Sequence, residues 1–180
     1  MTSIQLERPA SAHPTFLIVG YGNELQGDRG IGPRVARTVA SWDLPFVKAI
    51  VAHELVPELA THLAEADDVI FVDACEQLGR VHTVQLSPIS LGIDNPHLPA
   101  SSTHSHSARG LLALTQEIYN YAPQAWMLQT PAESFVCGQP LSSTAVQSCD
   151  RAIVIIERFL SNYSMATYNA DKPAQTQLVG

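Results

Sequence analysis

Hydrophobic positions along the chain follow two alternating rhythms. FLIVG (16–20) is an uninterrupted apolar run that closes on glycine, as in a strand buried on both faces of a parallel sheet. After GYGNELQGDRG, Ile31, Val35, Val39 and Trp42 recur at helical spacing with Pro33 in the first turn, predicting a helix over 31–42. The same alternation then repeats: FVKAIVA (46–52) reads as a strand, PELATHLAEA (57–66) as a helix opened by proline, and VIFVDAC (69–75) as a third strand. VHTVQLSPI (81–89) follows the turn-forming Gly79 as a fourth strand. SLGIDNPHLPASSTHSH (90–106) holds Gly92, Pro96 and Pro99 and little periodicity, so it reads as a long loop. SARGLLALTQEIYNYA (107–122) resumes a helix, AWMLQ (125–129) is a fifth strand, and 142–160 is a final amphipathic helix capped by Ser142 or Ser143. Strands alternating with helices predict an α/β fold: a five-stranded, mainly parallel sheet with helices on both faces.

Composition bounds this picture. With 180 residues, 46% hydrophobic and 15% charged, the chain suits one core, expected over 15–162, with flexible segments at 1–14 and 163–180. No apolar run reaches the roughly 18 residues of a membrane span, and the N-terminus lacks the basic and apolar regions of a secretory signal, so the cytoplasm is the expected location. Cys75, Cys137 and Cys149 fit neither a disulfide framework nor a CxxC metal site. The net charge is -7 and the ten Lys and Arg are scattered, which argues against nucleic acid as a partner.

Candidate chemistry collects at the ends of the strands, where open α/β sheets bind ligands. GYGNELQGDRGIG fails as a dinucleotide fingerprint because Leu25 stands where GxGxxG needs glycine, and it lacks the GK[ST] of a phosphate loop. Gly20 and Gly22 suit a sharp turn, Gly30 and Gly32 a close helix–sheet approach, and the carboxylates Glu24 and Asp28 suit a cation better than a phosphate. Asp73 closes a buried strand, where it is either a cap or turn residue or else a metal ligand or general base. The second strand ends at His53 and Glu54, and the long loop carries Asp94, His97, His104 and His106. An aspartate with histidines and no cysteine pair suits zinc or nickel. His13, His62 and His82 read as surface residues and Cys149 as a core residue, while Cys75 lies two residues from Asp73. No GxSxG elbow supports a serine nucleophile, and Ser134 in PAESF is not on a strand-to-helix turn.

Four motifs in this order, GYGNELQGDRGIG, FVDAC, SSTHSHSARGLLAL and TPAESFVCGQPLSSTAV, resemble the nickel-iron hydrogenase maturation endopeptidases over about residues 16 to 160. HELVPELATHLAEADDVIFVDA adds to the likeness. The resemblance implies a flavodoxin-like (phosphorylase/hydrolase-like) three-layer sandwich. It implies an aspartyl-type endopeptidase that removes the C-terminal extension of the hydrogenase large-subunit precursor after nickel insertion. The nickel arrives with the precursor, and zinc or cadmium could take its place in vitro. By motif position Asp73 and His104 are metal-binding and catalytic. The family's remaining acidic ligand falls on Arg29, which has no lone pair to give, so Asp28, Glu24 or His53 is left to replace it, or the site uses fewer protein ligands. Arg29 either lies at the rim, paired with Glu24 or with an acidic group of the precursor, or intrudes on the metal position. The alternative function is a checkpoint or chaperone that binds the same precursor without cutting it.

Overall fold

A computed structural model describes residues 14–76, 83–91 and 107–170. Five strands, β1 (Phe16–Tyr21), β2 (Val47–Ala52), β3 (Asp68–Glu76), β4 (Gln85–Ile89) and β5 (Gln124–Ala132), form one sheet in the order β2-β1-β3-β5-β4. The first, second, third and fifth run parallel; β4 pairs antiparallel with β5 at the sheet's edge. Helices α1 (Ile31–Ala40) and α4 (Ser143–Ala170) cover one face, and α2 (Ala60–Glu65) and α3 (Ala108–Tyr119) the other. The strands direct alternate residues into these two layers. Ile70 and Val72 join Ile31, Val35, Ala145 and Cys149, whereas Val69 and Phe71 join Leu59, Leu63, Leu111 and Leu112. This is the three-layer sandwich expected from the sequence, but with one inverted edge. A flavodoxin-like sheet runs 2-1-3-4-5; here β4 lies outside β5 and reversed, an edge position that tolerates Pro88 because that residue donates no hydrogen bond.

Element boundaries moved where capping decided them. The final helix is capped by Ser142, whose Oγ accepts from the Ala145 N–H at 3.1 Å. That helix reaches Ala170, so its backbone extends eight residues past the expected domain edge at 162, with no glycine or proline before Pro173 to stop it. The segment expected to form one helix over 57–66 opens instead as a 3-10 turn, Pro57–Leu59, before α2. Ser107 caps α3 by accepting from the Gly110 N–H at 3.0 Å, and Asn120 ends it in the left-handed region at φ 52°. Most of the long loop, with Asp94, His97, His104 and His106, lies outside the described residues, as do residues 1–13 of the flexible segment expected over 1–14.

Strand order reverses between β1 and β3, since the chain leaves β1 for β2 on one side and crosses to β3 on the other. The crevice outside these two strand ends is therefore the favoured place for a ligand. Two glycines bring α1 onto that point. A Cβ on Gly20 would lie 2.0 Å from the Gly32 carbonyl oxygen, and one on Gly32 2.4 Å from the Tyr21 carbonyl oxygen. Gly20 thus serves close approach, while the turn falls to Gly22 (φ 141°) and Gly27 (φ 54°). Gly30 has only ordinary contacts, the nearest at 3.5 Å, and is not required for the packing. Gly20→Ala is expected to destabilise the fold by about 3 kcal/mol or more, because the two nearest atoms are Gly32 backbone and the third is the short Ala36 Cβ, none of which can swing aside. An unchanged urea midpoint would show that α1 can lift off the sheet without loss.

Candidate active site

At the reversal point lies a cleft of about 340 Å³, bounded by Tyr21 and the following loop, Arg29, His53, Glu54 and Asp73. Asp73 is placed by the sheet itself. Its backbone pairs with Gln129 of β5, and the buried Thr130 hydroxyl donates to its carbonyl oxygen at 2.7 Å. Its partly buried carboxyl is raised above the ordinary aspartate range by desolvation, against which work a hydrogen bond from the Tyr21 hydroxyl, the charge of Arg29 and the Ala74 N–H. Tyr21 is held protonated, first by its own burial and then by the Asp73 charge, so it stays a donor to that carboxylate. Desolvation and then Asp73 push the Cys75 thiol up to about 11, so it is not an activated nucleophile.

Two of the four residues expected to bind metal are engaged elsewhere. Asp28 is fully buried, and its carboxylate accepts four hydrogen bonds. These come from the N–H groups of Glu133 (2.7 Å), Ser134 (3.1 Å) and Ser142 (2.7 Å), and from the Ser142 hydroxyl (2.8 Å). Burial alone would raise its pKa, but these donors outweigh it and hold the carboxyl below the ordinary range. Asp28 is thus a clamp that fastens the glycine-rich loop to the 133–135 segment and to the start of α4, with no oxygen turned over to a cation. Glu24 pairs through both oxygens with Arg37, which also corrects the expected Arg29–Glu24 pair. It borders a different hollow, lined with Arg34 and Arg37.

Of the remaining candidates, the structure gathers Asp73, His53 and Arg29 into the cleft; His104 lies outside the described residues. Arg29 is exposed and its guanidinium lies over the Phe135 ring, 4.5 Å from the centroid. It therefore borders the cleft from an aromatic support. Among the described residues no three His, Cys, Asp or Glu side chains gather closely enough to hold a metal ion. The hydroxyls of Ser134, Ser142 and Ser148 donate to Gln139, the Asp28 carboxylate and the Pro131 carbonyl, so none of these three is paired with a histidine as in a serine nucleophile.

Sequence reasoning missed Tyr21 and Phe135. Tyr21 is the only residue of β1 with a polar side chain, and that polarity within an apolar strand was the available signal. Phe135 gave none, because its contact with Arg29 spans 106 positions of sequence and depends on the Asp28 clamp.

No protein-family model matches the chain, and no curated protein matches it. Solved structures do. The hydrogenase 2 maturation peptidase of a Thaumarchaeota archaeon is 26% identical, with a TM-score of 0.60 over 82% of this chain and 98% of that one. The [NiFe] hydrogenase maturation protease HycI of Thermococcus kodakarensis (21% identity, TM-score 0.64) aligns over 82% of this chain and 93% of that one. The hydrogenase maturating endopeptidase HybD of E. coli (19%, TM-score 0.64) covers the same shares, 82% and 93%. The last two speak for the fold; the first, at higher identity and almost its whole length, agrees with the four sequence motifs. With its mainly parallel sheet and its cleft at the β1–β3 reversal, the chain is similar to the hydrogenase maturation peptidases, and the likeness marks it as a peptide-bond hydrolase.

Proposed function

We propose that this peptidase removes the C-terminal extension of a nickel-iron hydrogenase large-subunit precursor once nickel has been inserted, and that it finds its substrate through that nickel. The observation that carries the reading is Asp73: a carboxylate fixed at the strand reversal, partly desolvated, in a cleft open to a macromolecule. Asp73 contributes an oxygen to the metal that the precursor brings, and His104 a ring nitrogen. The sparse donor set among the described residues favours a metal supplied with its own thiolates over one held permanently. Water attacks the scissile carbonyl with Asp73 or His104 as proton acceptor, which agrees with the Cys75 thiol beside Asp73 being pushed up by burial, away from its reactive thiolate form. No helix among the described residues is long and apolar enough to cross a membrane, and a precursor still undergoing assembly fits a cytoplasmic protease.

Incubating the chain with precursor in nickel-loaded and nickel-free forms tests this. Only the loaded form is expected to lose the mass of its extension, and serine- or cysteine-directed inhibitors are expected to leave the rate unchanged. Equal cutting of both forms rules out recognition through nickel. An unchanged mass of loaded precursor, with binding retained, would make the chain a checkpoint and not its protease.

A further inference from the structure

Arg29 is the cation of the cleft, and the interactions of its neighbours fix where it stands. Its residue follows the clamped Asp28, its N–H donates to the Gln26 carbonyl at 3.2 Å, and its own carbonyl oxygen lies 2.1 Å from where a Gly22 Cβ would be. The same Asp28 carboxylate holds the Glu133 and Ser134 N–H groups, next to Phe135. One clamp therefore sets both the arginine and the ring on which its guanidinium lies. The ring meets the guanidinium through its charge, a contact that uses none of the N–H donors for a hydrogen bond to a carboxylate. Ion pairs among the described residues join Arg37 to Glu24, and Lys48 and His62 to Glu65, but none joins Arg29 to a carboxylate. Asp73 feels its charge without a contact as close as an ion pair. A supported guanidinium lining the cleft, with no carboxylate in ion-pair contact among the described residues, is suited to a bidentate bond with a carboxylate of the substrate.

We infer that Arg29 is a specificity-determining residue that binds a carboxylate of the precursor's C-terminal segment. This rests on the peptidase reading above and names the chemistry that its substrate must carry at one position. An acidic side chain flanking the scissile bond and the free terminal carboxylate share that chemistry, and the substrate forms below separate them.

The test uses the full chain as wild type, Arg29→Gln and Arg29→Lys. The probe is nickel-loaded precursor in three forms: unaltered, with acidic side chains flanking the cleavage site changed to amides, and with its terminal carboxylate amidated. Affinity is read by surface-based binding and cutting by mass. Arg29→Gln is expected to bind unaltered precursor about ten-fold or more weakly, raising KM more than it lowers kcat, with Arg29→Lys in between. The amide form that removes the recognised carboxylate is expected to bind wild type equally weakly and to be insensitive to Arg29→Gln. Affinity for Arg29→Gln within about two-fold of wild type, or the same loss against every form, overturns the inference. Arg29-dependent binding with no change of mass would sink the peptidase reading and leave this inference standing. Cutting with Arg29-independent binding does the reverse, and no binding by wild type overturns both.

Discussion

Replacing Asp28 by alanine is expected to lower the unfolding free energy at pH 7 by on the order of 4 kcal/mol, a large share of the roughly 5–15 kcal/mol typical of a domain. Three backbone N–H groups and the Ser142 hydroxyl would be left without their shared acceptor in a fully buried place. Each such group costs about 1–3 kcal/mol, reduced here because one rearrangement or one water can serve several at once. Asp28→Asn fares little better, because its amide nitrogen would meet donors. The native carboxyl is held below its ordinary range, so the stability it supplies is complete above the unfolded value of about 3.9. That stability is lost as pH falls through the lower native value. Wild type should therefore lose stability over that acid interval and Asp28→Asn should lack this part of the loss. Equal urea midpoints for wild type and Asp28→Ala at pH 7 would mean that the clamp contributes nothing.

That clamp also marks how far the sequence can be read. The central strands and the α-helices were legible from apolar spacing, because they bury a continuous run or stripe: Phe16 to Val19 and Val69 to Val72 are almost wholly covered by the two helical layers. The reversed β4 was not legible. Periodicity reports burial, and an edge strand of half-exposed residues has the same pattern in either direction. Asp73 was legible because it follows the apolar run Val69 to Val72; β3 itself continues to Glu76 against β5, but its pairing with β1 ends at Val72, which leaves Asp73 at the cleft. Asp28 and Glu24 were not. A carboxylate in a glycine-rich loop has the same spelling whether it faces a cation, a cluster of N–H groups or an arginine, and the partners that decide are 105 to 114 residues away for Asp28 and 13 for Glu24. The Arg29 side chain was read as either rim or intruder. Its place over Phe135 agrees with the rim, though with an aromatic support in place of the expected Glu24.

Asp73→Asn is expected to reduce precursor processing by about 10³-fold or more while leaving the protein folded. Asparagine fills the same space, its side-chain oxygen can still accept from the Tyr21 hydroxyl, and the Thr130 bond goes to the backbone carbonyl that remains. It lacks the charge that attracts a cation and the basicity that accepts a proton, so both roles proposed for Asp73 are lost together. Stability should move the other way. Burial raises the native carboxyl above its unfolded value of about 3.9, which means the folded chain binds that proton more tightly. The associated stability is fully present below the unfolded value and is lost as pH rises through the native one. Ionising this partly desolvated carboxyl as pH rises carries a cost that the neutral amide does not. The urea midpoint of Asp73→Asn at pH 7 is accordingly expected to equal or exceed that of wild type, with the gap closing as pH is lowered towards 4. Tyr21→Phe removes the hydroxyl that holds this carboxylate, and should shift the acid limb of processing upward in pH with a smaller loss of rate. Processing by Asp73→Asn at the wild-type rate would remove Asp73 from the site. A markedly lower midpoint at pH 7 would instead make Asp73 a support of the fold, whose loss of processing says nothing about chemistry.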